Sequence, residues 1–478
     1  MKKLLSVFLF FAAFTALYAQ EGEKQIPPML DTVIKAENPN AYQKEQLIKF
    51  FNETIDAAQV EEDKNDILEV INQELPASAI RSYSLKDAFP EAKGKDPKGF
   101  FDSYNRALFA YSVLEALNKN EGVYIVDFGN QAFLTVKKTK TKITDSGEQL
   151  QDVETIYIPP TEPSEIYHPT QEEIDNSNIL YTQDDIKSLV LTRQAQEKIK
   201  EGNGDELAEG APDATVLKQA ETLLKQAIKL NPRNITALNE MRALVNVMPA
   251  IVYNSNPDKA NRKKLEINTN YATLILALKV ANFNSTYNAK KLDPFVCNNT
   301  PYCTQKSQAK NPVPFVNAMQ ENEEIRDYTA DIMLALYSLD MYKPMLYLGN
   351  EYAKIKGLNN LDNIYNFYYQ MAIANAINRN YKNFQKFKRL FDAKYSSMPE
   401  DAGNLNTKLK NTATAMEIVS GRKTPAQIAQ EYNSGTGNRV HAYIITGRLT
   451  DSIVESATVL KGWPGYDNFR DKVLELTE

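Results

Sequence analysis

The sequence predicts a mainly α-helical protein, with an α-solenoid of paired helices in its C-terminal half and a small helical unit with a short antiparallel β-meander before it. Apolar residues recur every three or four positions through most of the chain, and the period falls to two only within about 122–158. Segments rich in Pro, Gly and acidic residues interrupt the helical pattern. We therefore expect an N-terminal unit at 20–160, a linker and connecting helix at 161–212, and a helical-repeat domain at 213–478.

Residues 1–19 have the pattern of a secretory signal peptide. Lys2 and Lys3 precede an apolar run, Leu4–Leu17, which is too short to cross a bilayer comfortably as a helix. Cleavage after Ala19 is expected, and no cysteine stands there to carry a lipid anchor. No later run is long and apolar enough to be a membrane span. We expect the mature chain in the periplasm, and we favour this over secretion.

The N-terminal unit combines amphipathic helices with a small sheet. The three predicted helices cover Ala41–Ala57, Asp63–Leu75 and Lys98–Lys119, and the three predicted strands cover Val123–Phe128, Ala132–Ile143 and Val153–Ile158. Gly129-Asn130 suits a hairpin turn. So small a sheet is marginal alone, and we expect it to pack on the helix before it.

The segment that follows is rich in Pro, Glu, Ser and Asn up to Gln183, and a connecting helix is predicted from Asp184 to Lys200. His168 lies here among glutamates. A metal site needs three or four converging ligands, and the only other histidine, His441, is far away in sequence. We therefore interpret His168 as part of a solvated loop and predict neither a metal site nor a cofactor.

The helical-repeat domain opens with a pattern of small and bulky residues. Ala220, Leu224 and Ala227 are spaced by four and three, and Pro232 follows. The alanines let helices approach, the leucine fills the gap, and the proline ends the helix. This segment resembles the second helix of a tetratricopeptide repeat, and the resemblance implies stacked helix pairs with a protein-binding surface.

Two later sequence segments resemble the turn between the helices of such a repeat. The segment Leu336–Leu346 contains Tyr342. The segment Ile377–Phe384 has a similar pattern with Tyr381, which lies 39 residues after Tyr342. A third version is Ile445–Ile453. Met345 and Phe384 replace the small residue that the family has after the aromatic, so the repeats are divergent. The signal ending in Ala-Gln and the Asn, Lys and Tyr usage resemble proteins of the Bacteroidota.

Tyrosine is dense between 326 and 395. One interpretation places these residues in the repeat core and the inter-helix turns, and the other places some of them in a groove for a peptide or glycan. Tyr337, Tyr342 and Tyr381 lie at predicted turns and should be structural. Tyr365 and Tyr369, four apart on one helix with Tyr368 beside them, are the binding candidates.

Catalytic patterns are scarce. With two histidines, the HExxH zinc motif is absent, as are the Gly-x-Ser-x-Gly and phosphate-loop motifs. The net charge of −6 disfavours nucleic acid as a partner. The sequence thus predicts a non-enzymatic periplasmic scaffold or adaptor that binds another protein through its repeat surface. The alternative is a glycan- or small-ligand-binding module using 326–395, and the third hypothesis is a hydrolase that uses a carboxylate pair.

Cys297 and Cys303 are the only cysteines, and they flank a turn-forming stretch with Asn and Pro. In an oxidising compartment, two cysteines so placed are expected to form a disulfide. A zinc site would need two further ligands that the neighbouring sequence does not offer.

Overall fold

The computed structural model describes residues 26–75, 82–99, 101–143, 149–162, 164–203, 212–285, 292–301, 303, 311–361, 363–394, 403–424, 427 and 454–469. The predicted signal peptide, 1–19, and the third predicted repeat turn, Ile445–Ile453, lie outside these residues. The chain divides into two compact units, which are Met1–Tyr271 with Ala281–Lys290, and Ala272–Val280 with Lys291–Glu478. The helices between 214 and 247, which were expected at the start of the repeat domain, belong to the first unit.

The first unit is mostly helical, as predicted, and contains one sheet. Its α-helices are α1 Pro28–Glu37, α2 Ala41–Ala58, α3 Lys64–Glu74, α4 Ser103–Ala116, α5 Gln171–Asp175, α6 Gln183–Asn203, α7 Ala214–Leu230, α8 Ile235–Val247 and most of α9 Pro257–Ser285. Short 3₁₀ helices cover Leu85–Ala88 and Ala250–Val252. Among the described residues, no helix is sufficiently long and apolar to traverse a bilayer.

Side-chain caps explain where several of these helices begin. The backbone N–H of Gln43 donates to Asn40 Oδ1 at 2.9 Å, and the Gln43 side chain accepts from the Asn40 N–H at 3.3 Å. This reciprocal pair satisfies two N–H groups that the first turn of α2 would otherwise leave without partners. Asp102 caps α4 in a similar way, because its side chain accepts from the Asn105 N–H at 3.0 Å.

The sheet is antiparallel and has the strand order β3-β2-β1-β4. Its strands are β1 Val123–Asp127, β2 Ala132–Ile143, β3 Gln149–Ile158 and β4 Asn178–Leu180. The sequence predicts only the first three. The fourth lies in the segment interpreted as linker and pairs Leu180 with Ile125. With three residues, β4 is too short to show a period of two, and only its partner strand identifies it.

The two faces of β1 contact different clusters. Val123 and Ile125 join the apolar core that α1 to α4 form, whereas Val126 packs in a smaller cluster on the opposite face. That smaller cluster contains Phe128, Phe133 and Tyr157. The alternation follows from the period of two along a strand. The helix before the sheet covers one of its faces, as a small sheet requires.

Within its described residues, all the regular elements of the second unit are helices. They are α10 Pro294–Asn299, α11 Val313–Glu321, α12 Glu323–Ser338, α13 Tyr342–Tyr352, α14 Ile364–Ile377, α15 Tyr381–Asp392 and α16 Gly403–Val419, with short 3₁₀ helices at Leu358–Asn360 and Thr458–Leu460. Residues 272–280 of α9 also belong here. Near the start of this unit, Cys297 and Cys303 are bonded, with an S–S distance of 2.09 Å, as their spacing predicts.

Candidate binding surface

Two helix hairpins in the second unit have the same turn. Hairpin 1 is α12 with α13, and hairpin 2 is α14 with α15. The Met341 N–H donates to the Leu336 carbonyl at 2.8 Å, and the Asn380 N–H donates to the Asn375 carbonyl, also at 2.8 Å. This six-to-one bond is the Schellman motif that ends many helices. The left-handed residue that it requires is Asp340, with φ of 60°, in hairpin 1 and Arg379, with φ of 61°, in hairpin 2.

The buried positions of the hairpins recur at the same interval as the turns. Six buried residues of hairpin 1 have a buried counterpart 39 residues later in hairpin 2. The pairs are Ile325 and Ile364, Ile332 and Met371, Leu336 and Asn375, Met345 and Phe384, Leu348 and Phe387, and Tyr352 and Phe391. The side chains differ in size at most of these positions. The hairpins are therefore similar in their turns and buried positions although their sequences differ.

The three candidate tyrosines of α14 have different surroundings. Tyr365 is half-buried. Tyr368 is only 2% exposed, its ring lies 5.6 Å from that of Phe367, and its hydroxyl is hydrogen-bonded to Asn359 Oδ1. Burial raises the pKa of Tyr368. The binding role that the sequence suggests for these residues stays a prediction, and the side chain of Tyr365 is more accessible than that of Tyr368.

Tyr369 is tied to the turn of hairpin 1. It is half-buried, with its ring 6.3 Å from that of Phe391, and its hydroxyl lies close to the hydroxyl of Tyr337. Burial raises the pKa of both tyrosines. Tyr337 in turn meets Tyr342 edge-on at 5.7 Å. Tyr369 is therefore part of the packing between the two hairpins.

The turn tyrosines make local polar contacts. The Tyr342 hydroxyl donates to Asp340 Oδ1 at 2.8 Å. The guanidinium of Arg422 lies 3.8 Å from the ring centre of Tyr381, and the Tyr381 hydroxyl donates to Glu417 Oε1 at 3.4 Å. These contacts join the aromatic after each turn to neighbouring polar groups.

A cleft of about 160 Å³ opens beside Tyr368. Its lining residues are Ala353, Ile355, Gly357, Leu358, Asn359, Tyr368, Lys386 and Leu390. The loop on one side is held in place, because Lys394 Nζ donates to the Asn359 carbonyl at 2.6 Å and Gly357 supplies a φ of 77°. Sequence reasoning identified Tyr368 but not the loop, since no periodicity marks a cleft built partly from a connection between helices.

Charge is distributed unevenly along these hairpins. Residues 311–352 contain two Lys and Arg against seven Asp and Glu, whereas 353–394 contain eight Lys and Arg against two Asp. The whole-chain net charge of −6 conceals this reversal. The segment that supplies the residues lining the cleft is therefore basic, although the chain as a whole is acidic.

Neither a search for metal-binding clusters nor comparison with known proteins identifies a functional site. Within the part of the chain that the structure describes, no three His, Cys, Asp or Glu residues are placed to hold a metal ion. Comparisons of the chain with models of protein families, with curated proteins and with solved structures found no match.

Proposed function

We propose that this chain is a non-enzymatic adaptor of the periplasm, which binds another protein through the surface of divergent tetratricopeptide-like repeats. The observation that carries the proposal is the equivalence of hairpins 1 and 2, with left-handed turn residues 39 positions apart. Stacked helix pairs of this kind present extended surfaces on which proteins dock. The half-buried ring of Tyr365 and the exposed amide of Asn366 are adjacent on α14 and suit recognition.

A second candidate function is the binding of a glycan or another small ligand. It is favoured by the cleft beside Tyr368, which Asn359 and Lys386 also line. Pockets for small ligands combine apolar walls with a few polar groups in this way.

Affinity capture from the periplasm with the tagged full-length chain, followed by mass spectrometry, tests the adaptor. We expect a stoichiometric protein other than the bait. Combined Tyr365→Ala and Asn366→Ala should reduce its recovery about tenfold, which corresponds to ~1.4 kcal/mol of binding free energy. Tyr42→Ala, at a half-buried tyrosine in the first unit, is the matched control and should not change recovery.

Three outcomes would contradict the adaptor. No captured protein together with binding on a glycan array would favour the ligand-binding module. Equal recovery with the α14 variant and with the control would move the docking site elsewhere. Turnover of a hydrolase substrate, lost on replacing one carboxylate, would favour the enzyme.

A further inference from the structure

Two exposed helix faces of the second unit carry opposite charge at similar spacing. The acidic stripe consists of Glu323, Asp327 and Asp331 on α12, and all three residues are exposed. Positions four apart lie on one face of a helix, and this stripe spans about 12 Å. Glu323 contacts Arg326 at 3.1 Å, which leaves the other two carboxylates as the net charge of the face.

The basic stripe consists of Lys382, Lys386 and Arg389 on α15, which are also exposed. Their spacings of four and three again define one helix face, about 10 Å long. The acid on this helix, Asp392, is engaged with Lys388 at 2.6 Å. The stripe therefore keeps its positive charge.

Each stripe adjoins an apolar feature that fits the other. Leu334 follows Asp331 by three residues on α12, and 51% of its surface is exposed. Lys386 of the basic stripe lines the cleft, together with Ile355, Leu358 and Leu390. A cavity of about 150 Å³ accommodates a benzene-sized group, so a cleft of this volume can receive a leucine side chain.

We propose that the chain associates with a second copy of itself, in which the acidic stripe of one copy docks on the basic stripe of the other and Leu334 enters the cleft. Charge complementarity supplies register and the buried leucine supplies an apolar anchor. A projecting side chain and a pocket at different places on one molecule make a contact between unlike surfaces. This self-association goes beyond the adaptor function, which uses the face with Tyr365.

Charge reversal tests the contact with the full-length chain. The first variant combines Asp327→Lys with Asp331→Lys, and the second combines Lys382→Glu with Lys386→Glu. In sedimentation at low salt and up to about 100 μM protein, the wild type should associate and each variant alone should not. An equimolar mixture of the two should associate, because its stripes are complementary again. Association should weaken in high salt.

Matched controls separate this contact from general effects of charge and folding. Glu69→Lys combined with Lys229→Glu reverses exposed charges of the first unit and should leave association unchanged. Leu334→Ser should raise the self-association Kd at least about tenfold, a change of ~1.4 kcal/mol. Val313→Ser, at an apolar residue that is 54% exposed in the same unit, should not change it. Circular dichroism establishes that each variant is folded.

Several results would overturn the self-association. A wild-type chain that stays monomeric at low salt, two folded variants that fail to associate when mixed, or equal effects of Leu334→Ser and Val313→Ser would each do so. None of these results would contradict the adaptor function, because capture of a different protein in the periplasm does not depend on self-association. The adaptor and the self-association therefore fail independently.

Discussion

Thr236 donates its hydroxyl hydrogen to Oδ2 of Asp127 at 2.9 Å, although the two residues are 109 positions apart. The other carboxylate oxygen accepts from the Tyr104 hydroxyl at 2.5 Å and from the Gly129 N–H at 2.7 Å. Asp127 has no exposed surface, and burial raises its pKa. A buried carboxylate is tolerated only when its oxygens find donors, and here the donors come from α4, α8 and the turn after β1.

Removing one of these donors should destabilise the first unit. Thr236→Val keeps the shape of the side chain but leaves a buried acceptor one hydrogen bond short, at a cost of ~1–3 kcal/mol in the free energy of unfolding. Thr236→Ser retains the hydroxyl and should cost less. Urea unfolding of the two variants measures the difference. A loss of stability in Thr236→Ser that Thr236→Val does not show would mean that the methyl group, and not the hydrogen bond, is what Thr236 contributes.

How much of this could be predicted from the sequence depends on the distance over which each signal acts. The 39-residue interval between Tyr342 and Tyr381 is visible in the sequence, and the turns recur at that interval. The long strands are predictable because their apolar and polar residues alternate over many positions. The bond between Asp127 and Thr236 has no local signal, because neither residue indicates its partner.

The candidate surface was predictable only in part, for a related reason. Helical spacing grouped Tyr365, Tyr368 and Tyr369 on one helix. Their contacts distinguish them, since the ring of Tyr368 lies near that of Phe387 and the ring of Tyr369 near that of Phe391, both on the next helix. The loop that completes the cleft depends on Asn359, whose carbonyl accepts from Lys394, 35 residues away. Contacts between helices determine which face of α14 is accessible.

Glu37 should make stability depend on pH. It is 5% exposed, and its two oxygens accept from the N–H groups of Leu85 and Lys86, each at 2.8 Å. Burial raises its pKa from 4.5 to about 7, while these donors act in the opposite direction. Between those values the unfolded chain loses the proton first, so unfolding becomes easier as pH rises. Above about pH 7 the loss is complete, at about 3 kcal/mol.

The matched variants for this pH effect are Glu37→Gln and Glu69→Gln, the latter at an exposed carboxylate of α3. Urea unfolding between pH 5 and pH 8 should show a smaller pH dependence for Glu37→Gln than for the wild type. Glu69→Gln should retain the wild-type dependence. Parallel curves for the wild type and Glu37→Gln would show that the residue titrates alike in both states.

The disulfide should stabilise the second unit by a modest amount. Cys297 and Cys303 are six apart, and closing so short a loop restricts the unfolded chain by about 2 kcal/mol. Replacing both cysteines by serine should therefore lower the free energy of unfolding by about that amount. Intact mass of the chain should rise by two hydrogen atoms on reduction. Two free thiols in chain purified without reductant would contradict the assignment.

The three tyrosines of α14 should contribute different amounts to the free energy of unfolding. Tyr368→Ala removes a ring that is 2% exposed and should cost ~3–5 kcal/mol, the range for losing a buried aromatic side chain. Tyr369→Ala loses the contacts with Phe391 and Tyr337, and we expect ~1–3 kcal/mol because the ring is half-buried. Tyr365→Ala should cost less than about 1 kcal/mol.

One fluorophore reports this series directly. Trp463, the single tryptophan of the chain, donates its Nε1–H to the Ala376 carbonyl at 2.8 Å, near the end of α14. Its emission during urea unfolding should therefore follow hairpin 2, and the order of loss should be Tyr368→Ala, then Tyr369→Ala, then Tyr365→Ala. If Tyr365→Ala destabilised the hairpin as much as Tyr368→Ala, Tyr365 would be a core residue, and the binding surface proposed on its face of α14 would be wrong.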